Sequence, residues 1–365
     1  MLKLFEVTGF KNFGNKFTLD FSDTSDYKFN TACIHNGLIN KAIIYGRNSI
    51  GKSNFGLALF DIVSSLTDKN VTPNLYDYYL TAGNNHKYAE FHYVFQFGKD
   101  VIDYLYHKKD HKSICYEKVT LNGNILYECF PDKIDIKGLA EIAPTLNVKP
   151  DLASMSYLKY VINNVPLDAE HPLKKLVTYV SNMLWFRSLD ENRYIGYKNN
   201  ASDYFTFISE NDYLLDFQLL LNKAGIDEKL MIITDADGQK RLYIDSTPPL
   251  PFFSVASSGT KALYTLFYWL KTASSASFVF IDEFDAFYHF ELAETIVRMF
   301  DEFPNTQVAL TSHNTNLLSN KIMRPDCYFI LTKDNLTSIK NATDRELREG
   351  HNLEKLYMSG EFGGI

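Results

Sequence analysis

Residues 3–22, KLFEVTGFKNFGNKFTLDFS, alternate apolar and polar positions with period two, which predicts two strands joined by a tight connection near Asn12–Asn15. The short apolar run KAIIYG (41–46) predicts a third strand entering a glycine-rich loop. Residues 53–66, SNFGLALFDIVSSL, change to helical spacing, with Leu57, Phe60 and Leu66 on the apolar face. From Tyr88 to Phe130 alternation returns in YAEFHYVFQFGKDVIDYLYH and SICYEKVTLNGNILYECF. Gly98-Lys99-Asp100 and Asn122-Gly123 serve as hairpin turn signals, so an antiparallel sheet is expected.

Residues 137–187 and 203–231 read as mostly helical, with HPLKKLVTYVSNMLWF and NDYLLDFQLLLNKAG as amphipathic segments. The last third alternates helix and strand: a helix from Ser258, then SFVFID, HFELAETIVRMFDEF, QVALTS, a short helix and CYFILT. This order predicts an α/β fold with a parallel sheet. Three stretches follow: an N-terminal lobe (1–130) with the glycine-rich loop and antiparallel strands, a helical insertion (131–235) and a C-terminal lobe (236–365).

Composition narrows the class. The chain has 365 residues, 45% of them apolar, with 28 Phe and 24 Tyr, which describes a globular chain with a large core. Its four cysteines, Cys33, Cys115, Cys129 and Cys327, form no CxxC pair, arguing against a structural zinc or a disulfide framework and for a reducing cytoplasm. No apolar run approaches a membrane span. The net charge of −7 excludes the overall basic balance of a dedicated nucleic-acid binder and leaves DNA or RNA only a local patch such as HKKDHK (107–112), which reads as a solvated turn.

Three segments carry chemistry. GRNSIGKS, Gly46 to Ser53, fits G-x-x-x-x-G-K-[ST] between a strand and a helix. Backbone N–H groups of Gly46, Arg47, Asn48, Ser49, Ile50 and Gly51 would cradle phosphate, Lys52 would meet the β and γ phosphates, and the Ser53 hydroxyl would reach Mg²⁺. SFVFIDE (277–283) ends a buried strand in two carboxylates, Asp282 to order the metal shell and Glu283 to polarise the attacking water. VALTSHN (308–314) ends the next strand in His313, placed to hydrogen-bond the γ-phosphate or that water. TDADG (234–238), between LMII and RLYI, reads as a hairpin turn. The His107, Asp110 and His111 group and the Asp285–His289 pair are set aside as metal sites.

A fourth segment, Ser257-Ser258-Gly259-Thr260 in FFSVASSGTKAL, opens a helix just before the Asp-Glu strand and resembles the signature motif of ABC-type ATPases. With GRNSIGKSN, FIDEFDAFYHFEL, TSHNTNLL and LREGHNLEKLYMSGEFGGI, the whole chain resembles the SMC/RecF-like, ABC-type AAA-family ATPases of bacterial antiphage defence, such as those of Septu and PARIS systems. The resemblance implies an ABC-type ATPase head with a parallel phosphate-loop sheet, an antiparallel subdomain and a helical insertion. It implies ATP and Mg²⁺ as cofactors, and it places Asn12, in the NFGNKF strand pair, and Asn54 in the nucleotide site. It also implies a signature that meets ATP held by a second copy, Asp285 at the dimer seam, a homodimer or higher homo-oligomer, and a separate effector protein such as a nuclease. DNA repair or chromosome maintenance by clamping DNA is the alternative, and a scaffold that hardly turns ATP over is a third. The family's glutamine loop has no clear counterpart, since Gln96 lies mid-strand, and no long heptad stretch is present.

Overall fold

The computed structural model describes residues 1–67, 73–83, 87–140, 142–143, 146, 155–187, 193–196, 204–272 and 276–363. Two seven-stranded sheets form its frame. In the first, Met183–Arg187, Phe278–Asp282, Gln307–Ser312, Lys41–Tyr45 and Tyr328–Leu331 lie side by side and parallel, with antiparallel Arg193–Gly196 and Leu336–Ser338 at the edges. Lys41–Tyr45, Phe278–Asp282 and Gln307–Ser312 are buried along their whole length, which is why they read as unbroken apolar runs rather than alternating ones. The second sheet is antiparallel and contains Leu2–Thr8, Phe17–Asp20, Ala89–Phe97, Asp100–Lys108, Ile114–Leu121 and Asn124–Cys129, with Ile134–Asp135 at one edge. Here burial alternates, as the sequence pattern predicts for a sheet with one solvated face.

The phosphate-loop helix, Lys52–Leu59, lies between the two sheets. A Cβ on Gly56 would come within 2.6 Å of the Phe280 ring, so only glycine lets this helix approach the parallel sheet so closely. On the other side, the Tyr93 hydroxyl donates to the Ala58 carbonyl at 3.0 Å and Phe5 meets Phe55 edge-on. The helical run breaks at Phe60 and resumes as Asp61–Leu66. Buried Asp61 there accepts from Tyr79, Tyr106 and Lys108 at 2.7–2.8 Å. Lys108 therefore does not belong to a solvated 107–112 tip; its ammonium is inside, neutralised by Asp61, as a buried charge requires.

The fully buried Gln307 amide joins the sheets. Its Oε1 accepts from the Leu2 N–H and the Tyr179 hydroxyl, and its Nε2 donates to the Leu2 and Ile39 carbonyls.

The helical reading of 137–187 holds for Tyr157–Asn164 and Pro172–Ser181 but fails at MLWFR. Met183–Arg187 is a strand paired in parallel with Phe278–Asp282. Its consecutive apolar residues suit burial on both faces of a parallel sheet, a pattern that periodicity does not separate from a buried helix. The parallel sheet thus draws strands from all three sequence stretches. Residues Leu230–Thr234 are likewise a strand, and TDADG is the hairpin turn expected, with Gly238 at φ 81°. The C-terminal segment is docked: Leu353–Met358 is helical, Phe362 is buried and Thr315 donates to Glu354.

Candidate functional site

The site is assembled where the parallel strands end. The Lys41–Tyr45 strand delivers Gly46 into the loop, and a Cβ there would lie 3.0 Å from the Leu331 carbonyl and 2.9 Å from Ile50. Ser49 and Gly51 take left-handed φ values of 63° and 110° as the loop turns back onto its helix. Asn12 closes the loop from the N-terminal strand pair. Its amide donates to the Ile50 carbonyl at 2.9 Å and its Oδ1 accepts from Asn54 at 2.8 Å. Gly51 is packed so tightly beneath it that a Cβ would fall 2.3 Å from the Asn12 amide nitrogen.

Lys52 is buried, and its Nζ donates to the Gly46 carbonyl at 3.2 Å and lies 2.5 Å from His313 Nε2. Glu283 Oε1 stands 3.9 Å from the same Nζ and 3.4 Å from His313 Nε2. Burial lowers the Lys52 pKa, while Glu283, Asp282 and Asp285 pull it back up. The ammonium is thus held in a partly dry site by surrounding carboxylates.

Asp282 is buried at the strand end, and its carboxyl is raised above the ordinary aspartate value chiefly by desolvation, against hydrogen bonds from Ser53 and Thr311. Ser53 and Asp282 thus lie near each other, a hydroxyl beside a carboxylate. Such hard oxygen donors are of the kind that would hold Mg²⁺. Thr311 fixes both acidic residues, its hydroxyl donating to Asp282 Oδ1 and accepting from the Glu283 N–H, each at 2.7 Å. Glu283 sits at φ 49°, a left-handed conformation that costs a non-glycine residue on the order of 1–3 kcal/mol and turns its side chain out of strand alternation toward Lys52.

Asp285 accepts from the Ser312 hydroxyl at 2.7 Å, and that hydroxyl also accepts from the Asn314 N–H. Burial raises the Asp285 carboxyl, opposed first by Ser312. The structure therefore brings together Asn12, Gly46 to Asn54, Asp282, Glu283, Asp285 and His313. Sequence reasoning missed Thr311 and Ser312, the hydroxyls that position the acidic pair and Asp285. The signal was the polar end, Thr-Ser, of an otherwise apolar strand. It also missed a cleft of about 690 Å³ beside Asn12 and Asn54, lined further by Lys11, Tyr78, Lys333 and Asp334. Gln96 lies within the antiparallel sheet and donates to the Gly98 carbonyl.

Ser257–Thr260 stands apart from this cluster. Ser257 and Ser258 are exposed, Ser257 Oγ accepts from the Thr260 N–H at 3.1 Å, and Gly259 lies against the Phe287 carbonyl. Among the described residues, no hydrogen bond or ion pair links it to the Lys52 group. Nor do these residues hold a group of three or more His, Cys, Asp or Glu side chains able to bind a metal, and no described helix is long and apolar enough to cross a membrane.

The chain is similar to solved SMC heads. One, bound to the C-winged helix domain of ScpA, is 16% identical with a TM-score of 0.48, covering 93% of this chain and 98% of that one. The SMC head domain from Thermotoga maritima is 14% identical with a TM-score of 0.44, covering 93% and 98%. An Smc head with an extended coiled coil, bound to a ScpA domain derived from Pyrococcus furiosus, is 14% identical with a TM-score of 0.44, covering 93% and 97%. No curated protein matches the sequence. Residues 41–319, from the phosphate-loop strand past His313, match the family described as AAA domain, putative AbiEii toxin, Type IV TA system, and the chain belongs to that family.

Proposed function

We propose that this chain is an Mg²⁺-dependent ATPase whose copies close head to tail on two ATP molecules. Each nucleotide would be held by Gly46 to Asn54 and Asn12 of one copy and by Ser257 to Thr260 of the other. The carrying observation is the convergence of three strand ends on Lys52, which has His313 at 2.5 Å and Glu283 at 3.9 Å. In this reading Lys52 binds the β and γ phosphates, and Glu283 accepts hydrogen from the attacking water. His313 orients that water or senses the γ-phosphate. Mg²⁺, when bound, would neutralise phosphate charge beside Ser53 and Asp282. The cleft beside Asn12 and Asn54 has room for the base and ribose.

Asp285 is assigned to the seam between copies. Contacts of both nucleotides across that seam offset the orientational entropy of closure, so hydrolysis releases or loosens the dimer. The conformational change would control a separate effector such as a nuclease in antiphage defence, a step supported by the sequence resemblance. The test is Glu283→Gln. It should bind ATP with near-normal affinity, lose at least about a hundredfold in turnover and accumulate a closed oligomer by size-exclusion chromatography. Wild-type turnover in that variant removes the catalytic assignment.

A further inference from the structure

The parallel sheet carries one more charged side chain at its carboxyl end than the Lys52 cluster contains. Met183–Arg187 lies beside Phe278–Asp282 with Arg187 in register with Asp282 and Trp185 with Phe280. Residues in parallel register point to the same face of a sheet, on strands about 4.8 Å apart. That face is the one covered by the phosphate-loop helix: Phe280 lies under Gly56, and the Trp185 ring packs 5.9 Å from that of Phe60. Arg187 therefore extends the row formed by Thr311 and Asp282, on the side of Asp282 away from the His313 strand. Its guanidinium is drawn back over the Trp185 ring, 5.3 Å from the centroid, and Trp185 starts roughly 7 Å behind Arg187 along the strand. Trp185 is buried, and its indole N–H has no acceptor among the described residues, so what it offers Arg187 is a ring face. Arg187 itself is half-buried, and a cation–π contact made by a partly exposed side chain is weak enough to be exchanged for a charge-assisted bond to phosphate.

We propose that Arg187 is a further catalytic residue, which leaves the Trp185 ring to donate to the γ-phosphoryl oxygens of ATP held by Gly46 to Asn54 of the same copy; this assignment rests on the ATPase reading. Lys52 is surrounded by the carboxylates of Glu283, Asp282 and Asp285, so a triphosphate entering here meets more negative than positive side-chain charge. A second cation offsets that excess. Lys52 approaches the phosphates from the loop and Arg187 from the strand beyond Asp282, so charge that builds on the transferring group is met from two directions. The planar fork of the guanidinium takes two phosphoryl oxygens at once, which a lysine ammonium does not. ADP lacks the group that Arg187 contacts, so with ADP alone the guanidinium stays on Trp185.

The test is Arg187→Ala in the full chain. It should bind ATP within about threefold of the parent affinity by calorimetry. It should lose about a hundredfold in kcat with KM little changed, and fail to retain ADP with vanadate, a stand-in for the transferring phosphoryl group, after desalting. In a Trp269→Phe background Trp185 is the single tryptophan. Its emission should shift with ADP plus vanadate but not with ADP alone, and Arg187→Ala should abolish that shift. Turnover within about threefold of the parent overturns the proposal, as does a loss of ATP affinity as large as the loss of turnover, which marks a role in folding or ground-state binding. Parent-like vanadate retention in Arg187→Ala overturns it too. An inactive Glu283→Gln beside an active Arg187→Ala leaves the ATPase reading standing and this assignment refuted, whereas wild-type turnover in Glu283→Gln refutes the reading on which it rests.

Discussion

Two helices in this chain begin with glycine and serine, and they are built differently. At Lys52–Leu59 the loop is clamped by Asn12, the lysine is buried, and five further polar side chains, Ser53, Asp282, Glu283, Asp285 and His313, surround it. At Ser258–Thr272 the first turn is capped by its own Ser257, Ser258 is exposed, and no charged side chain is bonded to residues 257–260 among the described residues. The first is a site whose electrostatics are already assembled. The second offers only donors and shape, so any charge it recognises has to be delivered on a ligand. Having charge on one side and bare donors on the other is what a shared site between two copies requires.

The largest effect expected from breaking this asymmetry comes from disabling each half in turn. Lys52→Ala should reduce ATP affinity more than about a hundredfold by calorimetry, while Ser258→Arg should bind ATP near normally and lose turnover. Mixing the two inactive variants should restore about one competent site per mixed dimer. Ser258→Arg with wild-type turnover would leave the serine segment a plain helix start.

A smaller effect concerns pH. Burial raises the Asp282 carboxyl above its unfolded value, so ionising it in the metal-free fold costs stability at pH above the folded pKa, and the cost disappears as pH falls toward ordinary carboxyl values. Asp282→Asn should therefore raise the metal-free melting temperature at pH 7 and lose that advantage in acid, with Mg²⁺ and ATP reversing it at neutral pH. An equal shift at both pH values would show that ionisation is not the cause.

The smallest effect should come from Ser257→Ala. Losing the cap costs about 1 kcal/mol of stability, read by denaturant midpoint, and leaves ATP affinity of the single chain unchanged. A loss of affinity in the isolated monomer would place the serine segment in the same copy's site and end the comparison.

The parallel strands, the phosphate loop, Asp282, Glu283 and His313 were legible in the sequence because each couples a short apolar run to a polar terminus. The antiparallel sheet was legible through its alternation. Met183–Arg187 was not, since five consecutive apolar or amphipathic residues carry no period, and only the neighbouring Phe278–Asp282 strand makes them a strand. Thr311, Ser312 and the Asn12 clamp depend on side-chain direction across elements far apart in sequence, which spacing does not encode. Lys108 misled for the same reason: a lysine in a charged run looks solvated until its partner, 47 residues away, is found.

Gln307 and His313 bracket the same strand. One end holds the Leu2 backbone of the antiparallel sheet through a fully satisfied amide, and the other presents Thr311 to Asp282, Ser312 to Asp285 and His313 to Lys52. Six residues of extended chain span roughly 20 Å and are nearly inextensible along their axis. The strand is also laddered on both sides, to Phe278–Asp282 and to Lys41–Tyr45, so it holds the sheet junction at Gln307 and the Lys52 cluster at His313 in one fixed register.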